Sequence, residues 1–159
     1  QGLVPALAVD DLLLTQSLAI IEYLDARWPR PRLIPADPVQ RAQAMARALV
    51  IAADVHPIAN LRVLNMLRGD LGAAEEQVTA WIHHWIAAGF DTLEAQAPDT
   101  GLLGGAGLDI SDLCLVPQMY NARRFKLPLN PWPRLVRIDA ELRALPAVAG
   151  VAPEAVRPA

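Results

Sequence analysis

The spacing of apolar residues predicts a short hairpin followed by helices. Two brief apolar runs, Leu3 to Val9 and Leu12 to Thr15, flank the pair Asp10-Asp11, and this pattern favours a tight turn between two strands. From Ser17 to Arg27 apolar residues recur at three- and four-residue intervals, which is typical of an amphipathic helix. The chain is therefore expected to begin with a small α/β segment.

Prolines separate this segment from a longer helical part. Four prolines fall between residues 29 and 38, and proline both ends helices and favours extended neighbours. Asp37-Pro38 has the composition of a helix start, with an aspartate as N-cap and a proline in the first turn. The predicted division is residues 1–30, a linker at 31–37 and an all-α unit at 38–159.

Four main helices are predicted in the all-α unit. They are expected at about 38–68 with a bend at Pro57, 73–97, 109–124 and 131–145. In the first of them, Met45 and Leu49 belong to the predicted buried stripe. Asp109 and Asp112 have the spacing of a capping box at the start of the third. Residues 148–159 carry little pattern.

Composition and charge exclude several classes of protein. The 159 residues are 53% hydrophobic, the net charge is −3, and no dense basic stripe is present, so a folded core is expected and nucleic acid is not an expected partner. No apolar run approaches about 20 residues, so no membrane span is predicted. The single Cys114 excludes an internal disulfide and fits a reducing compartment. The adjacent His83 and His84 do not share a helix face, and no metal site is predicted.

The first residues are suited to a small peptide-like ligand. Pro5 lacks an N–H and restricts Val4 to extended conformations, as at the edge of a sheet. Gln16 and Ser17 supply an amide and a hydroxyl where a helix begins, and helix N-termini attract anions. A strand edge beside such a helix start is suited to a ligand with peptide bonds and a carboxylate.

Ordered sequence segments resemble a known family from about Val4 to Leu145. VPAL, LTQSLAIIEYLD and RLIPADP look like the second half of the glutathione-binding, thioredoxin-like domain of glutathione transferases. DVHPIANLRVL, HWIAAGFDTLE and DLCLVPQMYNARRFKLPLNPWP resemble the zeta class, which includes the maleylacetoacetate and maleylpyruvate isomerases. The resemblance implies a mainly α, glutathione transferase-like fold. In it, the C-terminal half of a thioredoxin-like α/β domain precedes an all-α domain.

The resemblance also implies an activity. The expected enzyme converts maleyl-type dicarboxylates to their fumaryl isomers with glutathione as cofactor, as a cytoplasmic homodimer. Family members carry a thiol-activating Ser-Ser-Cys or similar motif ahead of the position of Leu3, and this sequence does not contain it. No catalytic residue is therefore expected within these 159 residues, and the activity of this stretch by itself stays open.

Six residues are expected on the glutathione side by resemblance. A cis bond before Pro5 leaves the Val4 backbone to pair with the cysteine portion, and Gln16 and Ser17 hold the γ-glutamyl carboxylate. His56 and Asn60, four apart and so on one helix face, reach the same side of the cleft. From the residues alone, three plainer interpretations stay open. They are a proline at a strand start, a capping serine, and a histidine that bonds backbone groups freed by Pro57.

Two arginines are expected to hold the substrate. Arg62 and Arg124 match positions where relatives place guanidinium groups, which clamp carboxylates through a planar fork. Arg123 replaces Arg124 if the register differs by one residue, and a solvated helix arginine is the plainer alternative for either. Cys114 is interpreted as a core thiol, and Trp81 and Trp85 as core residues.

Two other functions remain open from the sequence. One is a non-catalytic, transferase-like module for dimerisation or binding. The other is a general glutathione transferase that acts on electrophiles in the same cleft.

Overall fold

The chain begins with a two-stranded antiparallel hairpin. The computed structural model describes residues 4–105 and 107–156. Strand β1 (Ala6–Val9) pairs with β2 (Leu12–Thr15), and helix α1 (Ser17–Arg27) follows directly. In the turn, Asp10 has a φ of 50°, a left-handed conformation that aspartate adopts more readily than most residues. The predicted hairpin and first helix are confirmed, whereas Leu3 lies outside the described residues.

Helices make up most of the remaining chain, so the predicted mainly α fold is confirmed. They are α2 (Pro38–Leu49), α3 (Leu61–Gly69), α4 (Glu75–Gln96), α5 (Ile110–Arg124), α6 (Pro133–Ala144), α7 (Pro146–Ala149) and α8 (Pro153–Val156). The last two are single turns in the region where little pattern was evident. No helix in the described part of the chain is long and apolar enough to cross a membrane.

The predicted continuous helix at 38–68 is wrong in its middle. After α2 the backbone widens into a π-helical segment, Val50–Val55, and then tightens into a 3₁₀ turn, Pro57–Ala59. Asn60 is extended, with a ψ of 162°, and a new helix begins after it. Pro57 cannot donate the hydrogen bond that a continuous helix requires there, so the helix is interrupted rather than bent. His56 and Asn60 consequently do not share a helix face.

The main core lies between α4, α5 and α6. Its fully buried side chains include Ile82, Ile86 and Phe90 on α4, and Phe90 packs edge-on against Trp132 with ring centroids 5.3 Å apart. Leu115 and Leu135 extend the same core on α5 and α6. Aromatic pairs in this geometry add to the stability that burial provides. This core holds the C-terminal end of α5 in a defined position.

A second, smaller cluster joins the linker to α2 and α5. It consists of Ile34, Ala44, Ala48 and Ile110, all nearly inaccessible. The buried stripe of α2 is thus centred one residue before the predicted one: Met45 is partly buried against this cluster, but Leu49 is 41% exposed. The alanines have no side chain beyond Cβ, so α5 and Ile34 approach the α2 backbone closely. This close packing outweighs the burial that the larger Leu49 would provide.

The linker is hydrogen-bonded to α1, which precedes it, and to the start of α5. The buried carboxylate of Asp25, on α1, accepts hydrogen bonds from the backbone N–H groups of Leu33 (2.5 Å) and Ile34 (3.3 Å). The carbonyl of Leu33 accepts from the N–H of Ile110 at 2.9 Å. These bonds set how the hairpin segment meets the helices, and the division into two domains stays a prediction.

Candidate functional site

The residues before β1 present an open backbone. The Val4–Pro5 bond is cis, as the resemblance implied. Val4 is 94% exposed, and no backbone hydrogen bond joins it to the residues that the structure describes. Among residues 4–105 and 107–156, nothing competes with a ligand that carries peptide groups for the N–H and C=O of Val4.

Gln16 occupies the N-cap of α1 in an unusual conformation. Its φ is 73° and its ψ is 120°, and its side chain forms no capping hydrogen bond. A non-glycine residue rarely adopts this region, and such strain is concentrated at functional sites. Ser17 is the first helical residue rather than the cap, so the interpretation as a capping serine is wrong. The exposed first turn of α1 keeps its N–H groups available for an anion.

His56 and Asn60 have different roles at the interrupted helix. The Oδ1 of Asn60 accepts a hydrogen bond from the N–H of Val63 at 3.3 Å, so Asn60 is the N-cap of α3. His56 is exposed, and its own N–H donates to the carbonyl of Ile51 at 2.8 Å. The suggested bond between the His56 side chain and backbone freed by Pro57 is not observed in the described part of the chain. The structure assigns Asn60 a capping function that the sequence pattern did not reveal.

The adjacent arginines at the end of α5 differ in their surroundings. Arg123 donates through Nη2 to Oδ2 of Asp139, a fully buried carboxylate on α6 that Arg143 also contacts at 2.9 Å. Arg124 is exposed, and no carboxylate of residues 4–105 or 107–156 lies within ion-pair distance of it. Its guanidinium carbon lies 5.4 Å from the centroid of the Phe125 ring. Arg123 is thus held in an ion pair with Asp139, whereas the guanidinium of Arg124 is available to a ligand.

Arg62 lies in the first turn of α3 and is exposed. It follows the Asn60 cap by two residues. No predicted site residue lines the pocket of about 230 Å³ beside α4 or the pocket of about 480 Å³ beside the linker. Whether the predicted residues form one site stays a prediction.

The start of α5 contains the predicted capping box. Asp109 Oδ1 accepts from the N–H of Ser111 at 2.7 Å, and Asp112 Oδ2 accepts from the N–H of Asp109 at 3.0 Å. Arg47 of α2 donates to Asp109 Oδ2 at 3.0 Å. The capping box is confirmed, and the arginine ties it to the neighbouring helix.

Asp112 also holds the preceding loop. Its carboxylate accepts hydrogen bonds from the N–H groups of Leu103 (2.8 Å) and Gly104 (3.3 Å) and is completely inaccessible. Burial raises the pKa of Asp112 above the ordinary carboxyl value, and the charge of Asp109 raises it further. The backbone hydrogen bonds lower the pKa, but by less than burial and the charge of Asp109 together raise it. This carboxylate has a structural role and is not available for catalysis.

Cys114 is also unsuited to catalysis. Burial, together with the nearby charge of Asp109, raises the pKa of its thiol to about 11. The nucleophilic thiolate is therefore scarce at neutral pH. Trp81 is half-buried and donates from Nε1 to the carbonyl of Ile58 at 2.8 Å. No group of three or more histidine, cysteine or acidic side chains in residues 4–105 and 107–156 is arranged to hold a metal ion.

Two buried aspartates were missed in the sequence. Asp25 and Asp139 both lie on the apolar stripe of their helices, beside buried residues such as Ile138. A carboxylate at such a position is the signal that could have identified them, because a buried charge requires specific partners. The partners of Asp25 lie in the linker after α1, and those of Asp139 include Arg123 on α5, so the pattern of a single helix does not name them.

Solved structures and curated relatives identify the class of protein. No family model matches the chain. The chain is 51% identical over 154 residues to the probable maleylacetoacetate isomerase of Vibrio cholerae, covering 96% of this chain and 72% of the relative. A maleylpyruvate isomerase described as a bacterial zeta-class glutathione S-transferase matches with a TM-score of 0.92 and 42% identity, covering 96% of this chain and 74% of that one. The maleylacetoacetate isomerase of Anaeromyxobacter dehalogenans, solved with bound dicarboxyethyl glutathione and citrate, matches with a TM-score of 0.89 and 37% identity, over 98% of this chain and 72% of that one.

These matches define the fold as that of the glutathione transferases, with the hairpin and α1 as part of a thioredoxin-like domain and the later helices as the all-α domain. The chain belongs to the zeta-class family of maleylacetoacetate and maleylpyruvate isomerases.

Proposed function

We propose that this chain acts in the glutathione-dependent cis–trans isomerisation of maleyl-type dicarboxylates, with maleylacetoacetate or maleylpyruvate as the substrate. Membership of the isomerase family supports this function over a non-catalytic module and over a general transferase. The observation that carries the proposal for the site is the difference between the two arginines of α5. Arg123 is held by the buried Asp139, and Arg124 is left exposed without a carboxylate partner in the described residues.

The residues at the start of the chain fit glutathione. The open backbone of Val4 beside Pro5 suits the peptide groups of its cysteine portion, and Gln16 and Ser17 lie at a helix start that attracts a carboxylate. Strain at Gln16 supports a binding role, because an ordinary N-cap has no need of a positive φ. His56 and Asn60 are proposed for the same side of the cleft, with Asn60 acting through its cap of α3 as well.

The chemistry requires charge stabilisation more than a strong acid or base. Glutathione, when bound, supplies a thiol that adds reversibly to the double bond and so permits rotation about it. Arg124, with Arg62 as a second candidate, would orient the carboxylates of the dicarboxylate and stabilise negative charge that develops on the substrate. A guanidinium suits both tasks, because it stays charged and binds a carboxylate through two parallel hydrogen bonds.

We also propose that the protein is a cytoplasmic homodimer. A groove of about 230 Å³ between the π-helical segment and α4 supports a partner surface, since Val50, Trp85 and Ala88 line it and the buried Nε1 of Trp85 has no hydrogen-bond partner in the described residues. Sedimentation at micromolar concentration is expected to give twice the chain mass. A monomer mass would contradict the dimer.

The Arg124→Ala variant tests the proposed clamp. Without the guanidinium, kcat/KM for a maleyl dicarboxylate is expected to fall about tenfold, the effect of losing one charge-assisted pairing of about 1.4 kcal/mol. Thermal unfolding should be nearly unchanged, because the exposed side chain contributes little to packing. Turnover is followed at saturating glutathione, and glutathione affinity is measured separately by calorimetry.

Arg123→Ala is the matched control. Removing Arg123 leaves the buried Asp139 with one cation fewer, so thermal stability should fall while the KM for the dicarboxylate stays close to that of the parent protein. If Arg124→Ala turns over the dicarboxylate as the parent does, Arg124 is not part of the site. If glutathione does not bind to folded protein, the proposed roles of Val4, Pro5, Gln16 and Ser17 are wrong.

A further inference from the structure

The C-terminal end of α5 closes in a Schellman-type motif. The N–H of Leu127 donates to the carbonyl of Ala122 at 3.0 Å, and the N–H of Lys126 donates to the carbonyl of Arg123 at 2.9 Å. Lys126 has a φ of 57°, the left-handed conformation that this closure requires. The motif places Arg124 in the last helical position and Phe125 at the C-cap.

This closure pairs the carbonyl groups of Ala122 and Arg123 and leaves those of Arg124 and Phe125 without a backbone partner in the described residues. They form the negative end of the helix dipole, which repels an anionic substrate and attracts nearby cations. One of them, the carbonyl of Phe125, lies 2.8 Å from Nε2 of His83 on α4. A carbonyl has no proton to give, so Nε2 carries the hydrogen and donates it. His83 is thus a side-chain cap for α5 that comes from another helix.

The capped residue is also the one that contacts Arg124. The guanidinium of Arg124 lies over the Phe125 ring at 5.4 Å, and the same residue's carbonyl is held by His83. Because the Phe125 carbonyl already accepts a hydrogen bond from His83, it does not compete for the Arg124 guanidinium. The same hydrogen bond holds Phe125, whose ring lies below that guanidinium.

We propose that His83 is a positioning residue for the substrate-binding arginine. By capping Phe125 it fixes the aromatic surface on which the Arg124 guanidinium rests and directs that guanidinium toward a carboxylate of the substrate. The inference rests on the proposed function of Arg124, and it assigns to His83 a role in substrate binding that acts through Phe125 and Arg124.

Substitution of His83 by alanine and by glutamine tests this role. His83→Ala is expected to raise the KM for the maleyl dicarboxylate about fivefold, the effect of one hydrogen bond acting on substrate binding, with kcat and glutathione affinity little changed. His83→Gln should restore most of the KM, because its amide N–H donates to a carbonyl as the imidazole does. His84→Ala is the control. This exposed neighbour packs its ring against Trp85 at 4.9 Å, and its loss should leave the KM as it is.

A double-mutant cycle with Arg124→Ala separates the possible outcomes. If His83 acts through Arg124, His83→Ala should have no further effect on KM once Arg124 is absent. The proposal would be overturned if His83→Ala raised the KM equally with and without Arg124, or if His83→Gln did not restore the KM. A loss of thermal stability with an unchanged KM would also overturn it, because the histidine would then only cap the helix. If Arg124→Ala by itself leaves the KM unchanged, the proposed clamp fails, which is a different result from failure of the positioning role.

Discussion

Replacement of Asp112 by alanine is expected to lower the free energy of unfolding by about 4 kcal/mol, a large share of the stability of a small domain. The completely buried carboxylate accepts hydrogen bonds from the N–H groups of Leu103, Gly104 and Asp109. Alanine offers no acceptor, and each buried N–H left without a partner costs roughly 1–3 kcal/mol. The loop before α5 and the first turn of α5 lose the same acceptor together. The change is measured by urea unfolding at neutral pH.

Two variants show whether this loss has the expected cause. Asp112→Asn keeps one carbonyl oxygen and the shape of the side chain, so its stability should lie between those of the parent and Asp112→Ala. Asp70→Ala removes an exposed carboxylate at the end of α3 and should change the free energy of unfolding by less than about 0.5 kcal/mol. Equal stability of Asp112→Ala and the parent would mean that the three hydrogen bonds are not important for folding.

The contribution of Asp112 should also depend on pH. Burial raises the pKa of this carboxyl in the folded state, so the folded chain binds the proton more tightly than the unfolded chain does. The contribution of Asp112 to the free energy of unfolding is therefore fully present below the ordinary carboxyl pKa. It decreases as pH rises through the raised pKa of the folded state. The stability advantage of the parent over Asp112→Asn is expected to narrow as pH rises above the ordinary carboxyl pKa of about 4 and through the raised pKa of the folded state. A widening difference would contradict the direction of the shift.

Gly89→Ala is expected to destabilise the protein by about 2 kcal/mol, although alanine is the better helix former. A Cβ at this position of α4 would lie 2.3 Å from Cγ2 of Val55, which is far too close for two non-bonded carbon atoms. Val55 is 2% exposed, and its branched side chain has few alternative rotamers. Overpacking costs up to about 3 kcal/mol, and the helix propensity of alanine returns about 1 kcal/mol. The free energy of unfolding from denaturant titration measures the net effect.

Gly69→Ala is the matched control for this prediction. Gly69 ends α3, and an added Cβ would meet no atom within 4 Å, so this variant should keep or slightly increase stability. Combining Gly89→Ala with Val55→Ala removes the clashing methyl group, and the double variant should lose less than the sum of the two single losses. Equal stability of Gly89→Ala and Gly69→Ala would contradict the prediction. It would mean that the π-helical segment moves away from α4 with little loss of free energy of unfolding.

Sequence and structure agree best where the determinants are local. The capping box at Asp109 and Asp112, the proline at the start of α2 and the hairpin turn follow from residues within a few positions of one another. Local hydrogen bonds and restricted dihedral angles decide such features, so they can be recognised in the sequence. The glutathione transferase resemblance adds the cis bond at Pro5, which spacing alone would not indicate.

The candidate site is less predictable because its members depend on distant partners. Adjacent arginines in a helix look equivalent in sequence, and only the buried Asp139 on α6 separates Arg123 from Arg124. The spacing of His56 and Asn60 suggested a shared helix face, but the π-helical segment and Pro57 end the helix between them. In the sequence, His83 is one of two adjacent histidines without an evident role. In the structure, its Nε2 lies 2.8 Å from the carbonyl of Phe125 at the end of α5.

Hydrophobic periodicity, proline positions and cap residues were enough to predict the hairpin, the main helices and the cap of α5, and the resemblance of ordered segments gave the family. The buried face of α2, the interruption after α2 and the different surroundings of Arg123 and Arg124 became evident in the folded chain. The difference lies in the range of the interactions. Helix periodicity and caps act over a few residues, whereas close packing and the pairing of buried charges join residues far apart in the chain.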